Sequence, residues 1–258
     1  MSDRVRTLWK AAGASVPGAG HVRSGLPCQD AHVWKLEAGG ALIAAVADGA
    51  GSAPCAAEGA RIAVQSAVEQ TAAVWRVGRP HQGDDWNQVI RGAFATARLA
   101  VQSAARSLGR PSHDFSTTLL LAVATPEQTA AGQIGDGAVV ARWDGEELTA
   151  LTRPPRTEHP NETTFLTSEE ADAEMQFMLC EHAADGLALL SDGLQMLALK
   201  MPQGAPHAPF FAPLFRFAAA AEAGRTEEQL RAFLQSPGVA ERTDDDVTLV
   251  LAVRQLMR

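Results

Sequence analysis

Apolar residues alternate along the chain between strand-like runs and helix-like stripes. The segments HVWKLE (32–37) and ALIAAVA (41–47) predict a β-hairpin that turns at the glycines 39–40. Apolar residues then recur at helical spacing after Pro54 as far as residue 77, and again over residues 86–108. The first half of the chain therefore predicts a hairpin followed by two long amphipathic helices.

The second half is rich in short strands. From Ser116 the runs TTLLLAVA, TAAGQI, AVVARW and EELTAL predict an antiparallel meander. A polar, proline-containing segment (153–174) is expected to face solvent before two further strands, MQFMLC and GLALLS. Residues 194–223 read as helical but are broken by prolines, and we expect a mobile flap there. Thr226 is predicted to cap a short helix, and DVTLVLAVR to close the chain as a strand.

Runs of strands and pairs of helices indicate an α+β fold. The chain has 258 residues, enough to bury a full core, and no repeat or linker, so we predict one domain over residues 1–258. A formal net charge of -8 argues against nucleic acid or an anionic membrane as a partner. No apolar stretch approaches the roughly 20 residues that span a bilayer, and the beginning lacks the apolar core of a signal peptide. Together with three widely spaced cysteines and no C-x-x-C motif, this predicts a cytoplasmic protein.

Aspartates lie beside four of the apolar runs. Asp48, Asp136 and Asp192 each precede a glycine, and the acidic triplet 244–246 precedes the last strand. A single Asp-Gly pair is a common turn signal and carries little information. Four together suggest a site, because clustered carboxylates repel one another unless a cation neutralises them. Spacing alone does not establish that they meet.

Five short motifs give the chain a resemblance to a known family. They are PCQDA (27–31), VADGAG (46–51), STT (116–118) with GDG (135–137), LLSDG (189–193) and DDVTLV (245–250). Their order and content resemble the metal-dependent serine/threonine protein phosphatases of the 2C class, the PPM family, and in particular a bacterial subgroup. The resemblance implies a four-layer α-β-β-α sandwich of two antiparallel sheets flanked by helices, with metals at one end.

The resemblance also implies a role for each matching acidic residue. Asp48 would bridge two metal ions, with the carbonyl oxygen of Gly49 on one ion and the carboxylates of Asp192 and Asp245 on the other. Asp136 together with Asp192 would hold a third ion more weakly. Ligation by oxygen alone favours Mg²⁺ or Mn²⁺ over zinc, so we expect two or three of these ions as cofactors.

Several positions near the metals depart from the family pattern. Asp30 falls where the family places an acidic residue that acts through water, but Gln29 replaces the usual glutamate before it. Ala50 occupies the position of a histidine that is proposed as the general acid in many relatives. The arginine that grips phosphate in many relatives is also missing. These departures concern the phosphate clamp and the proton donor, while the candidate metal ligands are intact.

Two residues that precede the first acidic motif are candidates for the missing functions. We expect His21 or Arg23 to contact phosphate or to donate a proton, on the basis of their position alone. The alternative for His21 is a surface residue without a catalytic role, in a glycine-rich segment. Asp246 stands where the family usually has asparagine and is expected to lie outside the metal ligands. Asp244 is expected to be solvated.

The implied reaction is hydrolysis of phosphoserine and phosphothreonine on bacterial proteins. Two divalent ions would lower the pKa of a bridging water towards neutrality and supply hydroxide for in-line attack on phosphorus. The partners would be phosphorylated proteins and a cognate Ser/Thr kinase, and we expect a monomer. Two alternatives stay open: a degenerate module that binds a phosphoprotein without turnover, and a hydrolase of small phosphate esters.

Overall fold

A computed structural model describes residues 7–80, 83–155, 163–221 and 224–256. Within these ranges the strands are β1 (Thr7–Val16), β2 (Ala31–Glu37), β3 (Ala41–Ala47), β4 (Leu119–Ala124), β5 (Thr129–Ile134), β6 (Ala138–Trp143), β7 (Glu147–Thr152), β8 (Gln176–Cys180), β9 (Gly186–Leu190), β10 (Leu199–Lys200), β11 (Ala205–Pro206) and β12 (Val247–Leu256). The α-helices are α1 (Ala19–Ser24), α2 (Ala56–Val77), α3 (Gly83–Ser107), α4 (Ala171–Glu174), α5 (Gln195–Ala198), α6 (Ala208–Ala220), α7 (Thr226–Leu234) and α8 (Pro237–Ala240). Single turns of 3-10 helix lie at Ser112–Phe115 and Asp192–Leu194.

Two antiparallel sheets of five strands each form the centre of the described structure. One has the strand order β1-β12-β9-β6-β7 and the other β2-β3-β4-β5-β8. Their facing sides share an apolar core, α2 and α3 cover the outer face of the second sheet, and α6 and α7 cover the outer face of the first. The predicted α+β class and the four-layer α-β-β-α sandwich are confirmed.

The continuous apolar run of β3 follows from its place in these layers. Every position of β3 is buried. Ile43 and Ala45 face the helices, whereas Leu42, Ala44 and Val46 face the other sheet. A central strand covered on both faces has no polar side, which explains the missing alternation. Burial of a side chain such as Leu42 stabilises the fold by about 2 kcal/mol.

The predicted meander is wrong at one connection. β4 pairs with β5 and β6 pairs with β7, as the hairpin signals indicate. Between β5 and β6, however, the chain passes from one sheet to the other through residues 135–137. Gly135 and Gly137 have φ angles of 90° and 97°, which side chains other than glycine rarely adopt, and this permits the sharp crossing.

The predicted flap over residues 194–223 is also wrong within its described part. α6 carries Phe211, Leu214 and Phe215 into the core beneath the first sheet. Pro213 lies inside this helix, yet the helix continues to Ala220 because packing of its apolar face compensates for the lost backbone hydrogen bond. The residues 222–223 lie outside the described structure.

Two smaller predictions need correction. The polar segment 153–174 is not wholly solvent-facing, because Leu166 and Ala171 are buried against the α2–α3 layer; its residues 156–162 lie outside the described structure. The N-cap position of α7 is Arg225 rather than Thr226, and it makes no side-chain capping hydrogen bond. Among the described residues, no helix combines the length and the hydropathy needed to cross a membrane.

Strand register brings the acidic loops to one end of the sandwich. Ala31 pairs with Ala47, so the residues just before β2 and just after β3 are neighbours. Leu119 pairs with Ile134 at the same end, and Ala138 pairs with Leu190 in the other sheet. Val16 pairs with Val247, which places the loop after β1 beside the loop before β12. Every aspartate-bearing loop identified in the sequence therefore lies at the same edge of the two sheets.

Candidate metal centre

Three carboxylates from distant parts of the chain meet at this edge. Asp48 follows β3, Asp136 lies in the crossing between β5 and β6, and Asp192 follows β9. Each presents one carboxylate oxygen within 4.8 Å of those of the other two. The three side chains are partly buried, so the gathered negative charge is only partly screened by water.

The STT motif fixes the backbone that carries Asp48. The amide of Thr118 donates to the carbonyl oxygen of Asp48 (2.8 Å), and the amide of Asp48 donates to Oγ1 of Thr118 (2.9 Å). Oγ1 of Thr117 donates to the same carbonyl oxygen at 2.8 Å. Gly49 also forms an antiparallel bridge with Thr117. Because these hydroxyls are used in the loop, they orient Asp48 and are not poised as nucleophiles.

The segment 163–168 borders the carboxylate cluster. The hydroxyl of Thr163 donates to Oδ2 of Asp136 at 3.0 Å. Phe165 packs against a small apolar cluster of Ala50, Ala53 and Ala56 beside the Asp48 loop. Ala50 stands where many relatives have a histidine. Its side chain is 8% exposed and is part of this apolar cluster.

Burial and mutual repulsion raise the pKa values of the clustered carboxyls. Desolvation, then the charges of Asp30 and Asp192, hold the pKa of Asp48 well above its ordinary value. Desolvation, with the charge of Asp136, raises the pKa of Asp192 to about 6. Desolvation also raises the pKa of Asp136. Without a cation the centre therefore retains protons at a pH where isolated aspartates are ionised, and a divalent cation would take their place.

The donor set fits a hard divalent cation. Within the described chain, Oδ1 of Asp30 and Oδ1 of Asp192 are buried and have no hydrogen-bond partner. A buried carboxylate oxygen without a partner costs free energy unless a cation or water meets it. Burial raises the pKa of Asp30 to about 7, while its Oδ2 accepts a hydrogen bond from Oγ of Ser191 at 2.7 Å. Oxygen ligands of this kind suit Mg²⁺ or Mn²⁺.

Asp245 lies at the border of the cluster rather than inside it. Its side chain is exposed and is not one of the three carboxylates within 4.8 Å. Oδ1 of Asp245 accepts a hydrogen bond from the amide of Asp246 at 2.8 Å. After burial and the charge of Asp136, the charge of Asp245 adds to the raised pKa of Asp192. Asp245 is close enough to act on the centre electrostatically.

Asp246 organises the segment before β2, which the sequence did not reveal. Its carboxylate is 2% exposed and accepts hydrogen bonds from the backbone amides of Gly18 at 2.8 Å and Gln29 at 2.6 Å. The same carboxylate lies 2.8 Å from Nδ1 of His21. Two features of the sequence could have indicated the contact between Asp246 and His21. One is the aspartate at a position where the family usually has asparagine, and the other is the histidine before the PCQDA motif.

The two candidates for the missing functions occupy different surroundings. His21 is 18% exposed and is held by the buried carboxylate of Asp246. Arg23 is 66% exposed and pairs with Asp244, itself 77% exposed, at 3.0 Å. A surface ion pair of this kind contributes little to stability. The structure therefore orients His21 but leaves Arg23 in solvent.

A sandwich of this architecture is found in solved structures of bacterial proteins. PppA, a key regulatory component of T6SS in Pseudomonas aeruginosa, superposes with a TM-score of 0.65 over 97% of this chain and 100% of its own, at 18% identity. The serine/threonine phosphatase Stp1 from Staphylococcus aureus gives a TM-score of 0.64 over 98% and 99% of the two chains, at 13% identity. Identities this low establish the fold alone.

Sequence comparison identifies the family. The protein phosphatase 2C family model matches residues 17–235. Serine/threonine-protein phosphatase 3 of Escherichia coli (strain K12) is 37% identical over 254 residues, which cover 95% of this chain and 98% of that protein. The chain belongs to the protein phosphatase 2C family, as the five motifs predicted.

Proposed function

We propose that the protein hydrolyses phosphoserine and phosphothreonine on other proteins, using two or three Mn²⁺ or Mg²⁺ ions. The observation that carries this proposal is the meeting of Asp48, Asp136 and Asp192, with carboxylate oxygens within 4.8 Å, in a chain of the protein phosphatase 2C family. The name of the E. coli relative supports the choice of serine and threonine. In this proposal residues 1–258 act as one catalytic domain.

The proposed roles of the residues follow from their surroundings. Asp48, Asp136 and Asp192 would bind the ions, and the carbonyl oxygen of Gly49 and the carboxylate of Asp245 would complete the ligand set. Asp30, oriented by Ser191, would contact the ions through water. When bound, the ions would activate water and neutralise charge on the phosphoryl oxygens. The protein's own task is to hold these carboxylates in place before substrate arrives.

His21 is the residue that we propose for proton donation or phosphate contact. Its Nδ1 lies 2.8 Å from the buried carboxylate of Asp246, which fixes the orientation of the ring. A ring held in this way can use Nε2 towards the substrate, as a general acid for the leaving alkoxide. Arg23 is the weaker candidate because its guanidinium pairs with exposed Asp244.

Replacement of His21 by alanine tests this role. We expect His21→Ala to lower kcat for a phosphothreonine peptide by about a hundred-fold, the usual contribution of a general acid. Turnover of p-nitrophenyl phosphate should fall much less, because p-nitrophenolate is a good leaving group that needs little protonation. Steady-state kinetics on both substrates measure the difference.

The matched control for this variant is Arg23→Ala. It removes an exposed side chain from the same short helix, and we expect peptide turnover within about three-fold of the unmodified protein because the ion pair with Asp244 is weak. If His21→Ala retains full peptide turnover, His21 is not the proton donor. Equal losses on both substrates would indicate phosphate contact instead.

Cysteine-based phosphate transfer is a less favourable alternative. A nucleophilic cysteine must be a thiolate at neutral pH. Burial, and after it the charges of Asp30 and Asp246, raise the pKa of Cys28 far above the ordinary range, so its thiol stays protonated. Cys28, the cysteine of the PCQDA motif, is therefore unsuited to act as the nucleophile.

The proposed activity also implies partners and a location for the protein. The substrates would be phosphoproteins made by a cognate Ser/Thr kinase, and the phosphatase would act as a monomer. A cytoplasmic location is supported by Cys28, Cys55 and Cys180, all of which are free thiols in the structure.

One set of assays tests the proposed activity. Hydrolysis of p-nitrophenyl phosphate and of a phosphothreonine peptide is measured with Mn²⁺, with EDTA, and with Asp192→Ala. We expect Mn²⁺-dependent turnover of both substrates that EDTA and the substitution abolish. The lack of metal-dependent turnover would favour a phosphoprotein-binding module, and a strong preference for the small ester would favour a small phosphate-ester hydrolase.

A further inference from the structure

An apolar pocket of about 400 Å³ opens beside the metal centre. It lies between α1, the end of α7, α8 and the loop before β12. Leu234, Val239 and Val247 contribute apolar surface to it, whereas the charged residues Arg23 and Asp245 also line it. A pocket of this size accommodates a large side chain of a ligand.

The helix α1 presents apolar surface to this pocket instead of to the core. None of its six residues is buried. Val22, which lines the pocket, is 64% exposed, and Ala240 on α8, which also lines it, is exposed. Packing of the fold does not account for an exposed valine here, because it contributes to no buried cluster among the described residues.

The pocket and the metal centre share a wall. The amide of Gly20 donates to the carbonyl oxygen of Asp244 at 2.9 Å, so the start of α1 rests on the acidic loop. A methyl group added to Gly18 would lie 2.2 Å from the carbonyl group of Asp245, which shows how closely the two backbones approach. A ligand in the pocket therefore lies against the same loop that borders Asp192.

We propose that this pocket binds an apolar side chain of the substrate, from a residue that flanks the phosphorylated serine or threonine. The inference rests on the proposed function and deepens it by assigning a substrate class. A phosphate at the acidic centre would bring neighbouring residues of an extended peptide across Asp245, since each residue spans about 3.3 Å. The apolar walls favour leucine or phenylalanine over a charged side chain, whose burial against them would cost free energy.

The experiment compares phosphothreonine peptides that differ at one flanking position. Leucine, alanine and glutamate are placed in turn at each position from three before to three after the phosphothreonine, and kcat/KM is measured with Mn²⁺. At one position we expect leucine to exceed alanine by about ten-fold, the value of burying a side chain of this size, and glutamate to be the poorest. Hydrolysis of p-nitrophenyl phosphate by the same preparation reports the proposed function independently.

Two exposed positions in the pocket permit variants that avoid a buried charge. Val22→Glu adds a carboxylate to the rim and Ala240→Trp fills the pocket, and each should reduce the leucine-to-alanine ratio to about one. Val77→Glu is the matched control, because Val77 is an exposed valine (93%) on α2, away from the pocket. It should keep the ten-fold ratio.

The outcomes separate this inference from the proposed function. A leucine preference that is lost in both pocket variants and kept in Val77→Glu supports the pocket. Metal-dependent hydrolysis of p-nitrophenyl phosphate and peptides without a leucine preference at any position overturns the pocket and leaves the phosphatase intact. A preference that survives both variants also overturns it. The lack of metal-dependent turnover of every substrate overturns both proposals.

Discussion

Replacing Asp48 by asparagine should lower kcat/KM for a phosphothreonine peptide by about a thousand-fold or more, a rise of roughly 4 kcal/mol in the activation barrier. Asp48 shares the cluster with Asp136 and Asp192, so loss of its charge weakens binding of every ion that it contacts. Asparagine keeps the shape and one oxygen, and the backbone contacts with Thr117 and Thr118 do not involve the side chain. The loss is measured by steady-state kinetics at saturating Mn²⁺.

The control substitution is Asp244→Asn, the same chemical change close to the centre. Asp244 is exposed and its carboxylate pairs with exposed Arg23. We expect turnover within about two-fold of the unmodified protein and an unchanged melting temperature, because an exposed ion pair contributes little. Comparable losses in the two variants would contradict the assignment of Asp48 as a metal ligand.

Asp192→Asn should stabilise the metal-free protein increasingly as the pH rises from about 4 to about 7. The pKa of Asp192 is about 6 in the folded protein against an ordinary value of 3.8, because of burial and the charge of Asp136. A carboxyl group with a raised folded-state pKa binds more protons in the folded than in the unfolded state over this range, so stability falls as pH rises. Removing the charge should restore roughly 2 to 3 kcal/mol at pH 7 and only about 0.5 kcal/mol at pH 4.

Urea unfolding in EDTA at several pH values measures this difference. Both proteins contain His32, whose pKa is lowered mainly by burial and which destabilises the fold at acidic pH, so the difference between them isolates Asp192. Added Mn²⁺ should cancel this difference at pH 7. At a free concentration of a hundred times its Kd it stabilises the unmodified protein by about 2.7 kcal/mol. A pH-independent difference would be inconsistent with a raised pKa.

Local patterns in the sequence predicted the elements that depend on local physics. The glycines at 39 and 40 both have positive φ angles, 87° and 83°, and form the predicted turn between β2 and β3. The stripe of apolar residues in α2 predicted its buried face, because helical periodicity is set within the segment itself. The β2–β3 hairpin and α2 belong to the two layers next to the loop that contains Asp48.

Pairings between distant segments were not encoded in such patterns. β1 was not predicted, since its alanine-rich sequence has little strand character and its partner β12 begins 240 residues after it, at Val247 against Thr7. The crossing at residues 135–137 was missed because strand signals do not specify which sheet a strand joins. The packing of α6 was missed because prolines obscured its apolar face.

At the candidate site, too, the local features could be predicted from the sequence and the long-range contacts could not. Aspartates after apolar strands were visible in the sequence, and the family resemblance supplied their roles. That Asp246 would be buried and would hold His21 could not be read from the sequence, because the pair is 225 residues apart and depends on the register of β1 with β12. Geometry at a site of this kind is set by the fold rather than by spacing.

Crystals grown with Mn²⁺, with anomalous scattering recorded at the manganese edge, provide the sharpest test of the acidic centre. We predict anomalous peaks in contact with the carboxylates of Asp48, Asp136 and Asp192, and their loss in crystals of Asp48→Asn. Manganese bound only elsewhere on a protein that retains metal-dependent turnover would contradict the assignment of this cluster as the catalytic metal site.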